Sequence, residues 1–523
     1  LKISQPLLLA VLSGLLLFAA WPVVNLTPLI FFAFVPLLWM EQITASKLKY
    51  WFLVYTAMFI WNAATTWWIW NASVTGAIMA ILTNSLLMCL PWIVFRYTKT
   101  KLGNAWGYPS LIFFWLCFEY LHLQDWGLSW PWLTLGNVFA SKTDWVQWYE
   151  YTGVSGGSLW VMMTNILLFL VLNSYGEEKR LSKKLITVSI SLLLIPLLAS
   201  LIFFNNTKNT SFENGDSIVV VQPNIDPYQK VATGTFEAQL QQLIRLSESK
   251  IDSTTTLLIW PETALYSPNG FDEANLTSNF FLHPLFDFLR RHPQLQLFTG
   301  IESYRLFNEK VSNVAKPIDG TSTFYEVYNG SVLLDSSGAK AFYHKSMLVP
   351  GVETLPRFLL FLAPVFEKFG GTAGGYARQD KRTPLQTNSN LVLAPAVCYE
   401  SIYGEYMSRY VADGANLITI ITNDGWWGNT PGYQQHQLYA KLRAIETRTW
   451  VARSANTGVS CFIDPSGRVH QPQPWWQEAA IKMQIDATAQ KTVFVKWGDM
   501  IGKLASICTI LLFLFLLYKK FSR

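Results

Sequence analysis

The apolar residues of this chain are gathered into runs, and that segregation limits the folds open to it. They concentrate in 7–204 and return in 501–518, leaving a polar block of about three hundred residues between. A membrane span takes about 20 apolar residues, fewer when the helix is tilted or sheltered by others. Eight candidates follow: 7–20, 26–40, 51–70, 74–95, 105–121, 158–172, 185–204 and 501–518. The first, behind Lys2, has the build of a signal peptide, but the spans that follow favour a retained helix. A composition of 51% hydrophobic residues, 23 Trp and only 14% charged residues excludes an ordinary soluble protein. The expected organisation is a transmembrane domain of seven helices over 1–204, a soluble domain over 205–498, and a last helix with its tail over 499–523.

A net charge of +6 invites a nucleic-acid or anionic-lipid reading, but its placement points to topology. Lys47 and Lys49, then Arg96, Lys99 and Lys101, then Lys179, Arg180, Lys183 and Lys184, and finally Lys519, Lys520 and Arg523 fall on alternate loops. The connections 21–25 and 71–73 carry no cation, and 123–157 carries only Lys142. The positive-inside rule then places both termini in the cytoplasm and the soluble block outside the inner membrane. No nucleic-acid partner is expected. Segment 123–157 holds Trp126, Trp130, Trp132, Trp145 and Trp148, the composition of an interfacial belt. Glu119, near the outer end of its span, has two readings: a carboxylate lining a substrate cavity, or a solvated one at the interface.

Beyond 205 the composition turns to Asn, Thr, Ser and Asp, as in a linker, and short β-rich runs then alternate with helical patterns. Strands are expected at 217–222, 256–260, 296–301, 323–334, 391–397, 417–422 and 459–463, and helices at 236–251 and 434–450. That alternation is the pattern of a layered α/β domain. The stretch 364–381 contains GGTAGGYARQDK without the strand and helix of a phosphate cradle, so it reads as a mobile loop able to cover a site.

Three of the strand-like runs end on chemistry. LVLAPAVCYES delivers Cys398 to a strand end, TLLIWPET delivers Glu262, and AFYHKSMLVPGVE carries Lys345 and Glu353. A cysteine attacks only as thiolate and needs a base or cationic neighbour to become one at neutral pH. A carboxylate can take the thiol proton, and an ammonium can stabilise a tetrahedral oxyanion, together with a backbone amide near Tyr399. Of the other cysteines, Cys89, Cys117 and Cys508 fall in candidate spans, and Cys461 lies in an alternating strand. No disulfide framework or metal spacing is visible, so no cofactor is expected.

WPET, HKSMLVPGVE and VCYES, in this order and spacing, resemble the Glu-Lys-Cys motifs of the nitrilase superfamily. VVQPNID, TNDGWWG, RSANTG and SWPWLTLGN resemble one membrane branch of it, the apolipoprotein N-acyltransferases. The resemblance implies an αββα sandwich for the soluble block, beside the polytopic α-helical membrane domain. It also implies that Glu262, Lys345 and Cys398 form the catalytic triad. Glu353 and Glu400 would support it or stand as salt-bridged carboxylates, Tyr399 would flank the nucleophile, and Asn423 and Trp426 would shape the pocket. With a base already in the triad, His344 and His436 are not expected to be catalytic. The implied reaction moves an acyl chain from a phospholipid to Cys398 as a thioester. It then moves to the α-amine of an S-diacylglyceryl cysteine beginning a bacterial lipoprotein, and a monomer at the bilayer suffices. The chain departs from the branch in two places: Tyr228, and no Trp, follows VVQPNID, and LVPGVE stands where LVPFGE is common. Two other classes remain open at this point: a membrane-tethered amidase or nitrilase, and a transporter or receptor whose nitrilase-like block only binds ligand.

Overall fold

The computed structural model describes residues 4–178, 182–206, 215–228, 235–354, 361, 375–487 and 490–521. Lys179, Arg180, most of the linker after 205 and most of the glycine-rich stretch 364–381 lie outside the described residues. The chain divides into two compact units, Leu1–Trp70 with Val74–Asn206 and Trp497–Arg523, and Asn71–Ser73 with Thr207–Lys496.

The first unit is helical. Its main helices are Ser4–Ala20, Val35–Ile43, Lys47–Thr66, Val74–Leu87 with Cys89–Leu102, Asn104–His122, Val154–Glu178, Lys183–Asn206 and Met500–Phe521. Among the described residues, Val74–Leu102, Val154–Gly176, Lys183–Phe204 and Met500–Phe521 are long and apolar enough to cross a membrane, four where the sequence suggests eight. The second expected span shows why length falls short. It is split into a 3-10 turn, Thr27–Phe31, and the helix Val35–Ile43. Asn165 repairs the break: its side chain accepts from the Phe34 amide at 2.8 Å and donates to the Ile30 carbonyl at 2.8 Å. Backbone groups freed inside an apolar bundle must find such partners.

Part of the Trp-rich segment packs into the helical unit. Trp132 is fully buried, stacks on Trp130 at 5.4 Å between centroids and meets Trp68 at 4.8 Å, while Trp126 is exposed. Glu119 is buried, not solvated: its Oε1 accepts from the Leu135 amide at 2.8 Å and from Trp115 Nε1 at 2.9 Å. It thereby ties its helix to the Trp-rich segment.

Among its described residues the second unit contains fourteen strands. In chain order they are β1 (Asp216–Gln222), β2 (Thr255–Ile259), β3 (Phe271–Asp272), β4 (Gln296–Phe307), β5 (Lys316–Pro317), β6 (Phe324–Asp335) and β7 (Gly338–His344). They continue as β8 (Leu385–Gln386), β9 (Val392–Val397), β10 (Leu417–Thr422), β11 (Trp450–Ala455), β12 (Cys461–Ile463), β13 (Val469–His470) and β14 (Ala479–Ile485). One sheet runs β14-β1-β2-β4-β6-β5, with β3 on β4 and β7 on β6; the other runs β13-β12-β11-β10-β9-β8.

Strand alternation builds the layers. Ile218 and Val220 of β1 pack between the sheets with Leu393, Ile418, Ile420 and Val451. Val219 and Val221 face the other way, among Leu240 and Leu243 of helix Phe236–Glu248 and Leu285 and Phe288 of helix His283–Arg291. Met407 of helix Gly404–Ala412 and Ala440 and Ala444 of helix Pro431–Thr447 pack with the second sheet. The result is a four-layer αββα sandwich.

The sequence pattern extends the helix at 434–450 too far. It ends at Thr447 because Arg448 takes a left-handed conformation (φ 50°, ψ 40°), and Trp450 already begins β11. Strands β11 and β14 and the two-residue β3, β5, β8 and β13 are absent from the sequence-based expectation; fully buried β11 (WVARSA) lacks the polar alternation that marks a half-exposed strand.

Gly300 of β4 fixes where Glu262 sits. A Cβ there would lie 2.5 Å from the Thr263 amide nitrogen and 2.6 Å from Glu262 Cα, both backbone atoms that cannot swing aside. Gly300→Ala is expected to destabilise the protein by about 1–3 kcal/mol and to slow Cys398 alkylation. Thermal unfolding in detergent and labelling kinetics check this, and a variant unchanged in both would show that the turn has slack.

Candidate active site

The strand ends of the two sheets bring buried Glu262 and Lys345 together with half-buried Cys398. Glu262 follows β2 through Trp260 and Pro261, Lys345 follows β7 directly, and Cys398 follows β9. Lys345, 1% exposed, donates to Glu353 Oε1 at 2.8 Å and stands 3.6 Å from Glu262 Oε1. Asn329 of β6 bridges both carboxylates, its Nδ2 lying 2.9 Å from Glu262 Oε1 and 3.0 Å from Glu353 Oε1. The second oxygen of Glu262 accepts the Asn423 amide at 3.0 Å, and that of Glu353 accepts the Val349 amide at 2.8 Å.

Cys398 opens a 3-10 turn, Cys398–Ile402, with φ 54°, in the left-handed region that a non-glycine residue adopts at a cost of about 1 kcal/mol or more. Thr263, next to Glu262, shares this conformation at φ 49°. The turn is held from several sides. Glu400, fully buried, accepts from the Val397 amide at 2.8 Å with one oxygen. Its other oxygen accepts from the Ser346 amide at 2.7 Å, the Met347 amide at 3.2 Å and the Tyr343 hydroxyl at 2.6 Å. Glu400 thus clamps the lysine loop to the cysteine strand. Ser401 Oγ donates to the Cys398 carbonyl at 2.8 Å, and His436 Nε2 lies 3.2 Å from the same oxygen.

Beneath this turn, His436 Nδ1 meets Asp424 Oδ1 at 2.9 Å, and Arg453 donates to Asp424 Oδ2 at 2.6 Å. His436 is therefore a brace on the Cys398 backbone. His344 pairs with Glu273 at 2.6 Å instead.

Charge balance sets the resting protonation. Burial alone would depress Lys345, yet Glu353 and then Glu262 hold its ammonium well above the ordinary lysine range. Burial pushes the Cys398 thiol up, Glu262 pushes it further, and the lowering effect of Lys345 does not compensate. Burial works against charge on Asp424 as well, but Arg453 and His436 keep its carboxyl below the ordinary range. Cys461, fully buried, is pushed up to about 11 by burial.

The remaining expected residues take up distinct places. Asn423 acts on Glu262 through its backbone amide, while its side chain accepts from Asn456 at 3.0 Å. Tyr399 is buried and its hydroxyl accepts from Tyr403 at 3.2 Å. Trp426 is 41% exposed and packs edge-on against Tyr228 at 5.3 Å. Asn329, Asp424 and Arg453 did not emerge from the sequence as site residues. Asp424 and Arg453 lie inside TNDGWWG and RSANTG, whereas Asn329, within a long strand, carries no local signal. A cavity of about 530 Å³ lined by Tyr304, Ile318, Val327 and Tyr376 opens close by, Tyr376 lying within electrostatic reach of Glu353 and Glu262.

A four-layer αββα domain with a carboxylate, an ammonium and a thiol at its strand ends defines a carbon–nitrogen hydrolase, and the family model of that description matches residues 218–493. A second model, the apolipoprotein N-acyltransferase N-terminal domain, matches residues 13–167. An apolipoprotein N-acyltransferase of Chlorobaculum tepidum is 31% identical over 517 residues, covering 95% of this chain and 94% of that protein. One from Geobacter metallireducens is 26% identical, covering 94% and 92%. Among solved structures, Saccharomyces cerevisiae Nit3, a nitrilase-superfamily member, aligns at 15% identity and a TM-score of 0.38, covering 53% of this chain and 93% of Nit3. The chain belongs to the apolipoprotein N-acyltransferase family.

A thiol raised above its ordinary range is protonated at neutral pH. Alkylation of Cys398 by iodoacetamide, with Cys398→Ala as blank, should therefore rise about tenfold per pH unit up to about pH 9 without a plateau. Glu262→Gln, which removes the negative neighbour, should move that curve to lower pH. A plateau with its midpoint below neutrality in the parent protein would overturn the assignment.

Proposed function

We propose that this membrane protein transfers an acyl chain from a phospholipid to the N-terminal α-amine of an S-diacylglyceryl-cysteine apolipoprotein, through a thioester on Cys398. The observation that carries the reading is the cluster of buried Glu262 and Lys345 with half-buried Cys398 in a chain of this family. In the first half-reaction Glu262 takes the thiol proton as the sulfur attacks the ester carbonyl. Lys345 donates to the oxyanion, the carbon–oxygen bond breaks, and the lysophospholipid leaves with the proton from Glu262. In the second, the neutral α-amine attacks the thioester and gives its proton to Glu262. The carbon–sulfur bond then breaks, and the proton returns to sulfur. No metal or cofactor takes part.

Glu353 acts through Lys345, and Asn329 and the Asn423 amide act through Glu262, so these are positioning groups. Glu400 holds the lysine and cysteine loops in register. Tyr399, buried, follows the nucleophile in the chain, and Trp426 offers an exposed indole. A bilayer-anchored enzyme suits substrates that are both lipids. The cation pattern supports eight spans, both termini in the cytoplasm and the catalytic domain on the periplasmic face of the inner membrane. A monomer contains every group the mechanism uses.

Intact mass of the purified protein after incubation with phospholipid tests this reading. A hydroxylamine-labile gain of one acyl chain is expected in the parent and absent in Cys398→Ala, and a diacylglyceryl-cysteine peptide should discharge it. An adduct lost to water at the same rate with and without the peptide would make the enzyme a hydrolase. No adduct at all would remove phospholipid as the donor.

A further inference from the structure

Within the helical unit, three helix ends converge on a cavity of about 840 Å³ that the acyl-transfer reading leaves unused. They are the N-terminus of Lys47–Thr66 and the C-termini of Cys89–Leu102 and Met500–Phe521. Five cations line the cavity, Lys47, Arg96, Lys101, Lys519 and Lys520, and no carboxylate does. Among the described residues no Asp or Glu pairs with any of the five; Glu41, in the helix Val35–Ile43, is taken by Lys99 at 2.5 Å. The walls between the cations are apolar, formed by Trp51, Ile93 and Leu516.

Cations at helix C-termini complement the helix dipole, which accounts for Lys101, Lys519 and Lys520 without any ligand. The dipole does not account for the other two, which the positive-inside pattern places on this side of the membrane without giving them a partner. Lys47 occupies the first position of its helix, where the dipole disfavours a cation. Arg96 is held in place: Nη2 donates to the Thr44 and Ala45 carbonyls at 2.6 and 2.8 Å, and the guanidinium lies 4.5 Å from the centroid of the Tyr50 ring. A fixed guanidinium beside a lysine set against its own helix dipole, in a cavity without counter-charge, suits an anion.

We infer that this cavity binds an anionic phospholipid, with its phosphate among Lys47, Arg96 and Lys101 and its acyl chains along Trp51, Ile93 and Leu516. The volume and the apolar walls favour a lipid over a free phosphate, which would leave most of the space empty. Basic pockets between membrane helices are suited to such headgroups. This site needs the membrane reading of the helical unit but not the acyl-transfer reading, and its lipid is a bound component rather than an acyl donor.

Native mass spectrometry of the full-length protein in detergent, titrated with tetraoleoyl cardiolipin or with dioleoyl phosphatidylcholine, tests the proposal. Cardiolipin is expected to bind the parent well ahead of phosphatidylcholine. Its affinity should fall roughly a hundredfold in Lys47→Gln/Lys101→Gln/Lys520→Gln, at about tenfold or less per cation, with thermal unfolding in lipid-free detergent unchanged. Arg96→Gln should act in the same direction; should it fail to fold, the exposed triple variant decides alone. Equal cardiolipin affinity in the triple variant and the parent, or equal binding of the two lipids by the parent, would overturn the proposal. Displacement of cardiolipin by inorganic phosphate would assign the cavity to a free anion and overturn it as well.

Discussion

The catalytic unit depends on keeping one ammonium charged out of water. Lys345 is 1% exposed, and an ammonium in such a place is tolerable only with matched counter-charges. Glu353 at 2.8 Å and Glu262 at 3.6 Å provide them, and breaking such a buried pair by removing one partner typically costs about 3–5 kcal/mol. Those contacts join three separate pieces of chain: the end of β2, the end of β7 and the turn before Glu353. Asn329 adds the middle of β6, so two long hairpin strands must be in register before the cluster exists.

The same balance sets the state of the thiol. Burial and the neighbouring Glu262 raise it and Lys345 does not compensate, so the sulfur rests protonated. A protonated thiol also resists adventitious alkylation and oxidation. The strained turn at Cys398 is the second requirement. Its left-handed backbone is held by Glu400 on one side and by Ser401 and the Asp424–His436–Arg453 group on the other. Those bonds offset strain that would otherwise relax the sulfur out of position.

The helical unit follows a different logic, because its surroundings supply no water to repair an error. Asn165 at the break in residues 32–34, Asn62 bonded to Asn84 at 2.8 Å, and Glu119 on the Leu135 amide each satisfy polar groups that apolar packing would strand. This is why several of the expected spans are shorter or less apolar than a free-standing span: helices sheltered by neighbours need not be apolar all round.

Much of this was legible beforehand, and for a reason. Segregation of apolar runs, cations on alternate loops, and strands ending on Glu262, Lys345 and Cys398 are local patterns, carried by residues close together in the chain. The partition into a helical unit and a layered α/β unit, and the three reactive residues as candidates, came from the sequence alone. What tertiary structure decided is non-local. Asn329 between two glutamates, Glu400 clamping two loops, and His436 behind the nucleophile instead of beside its sulfur depend on register across two sheets. Glu119 buried instead of solvated, and Trp132 buried between Trp130 and Trp68, depend on helix packing. Side-chain hydrogen bonds of that kind join residues tens to hundreds of positions apart, and no periodicity within a segment encodes which partner a buried polar group will meet.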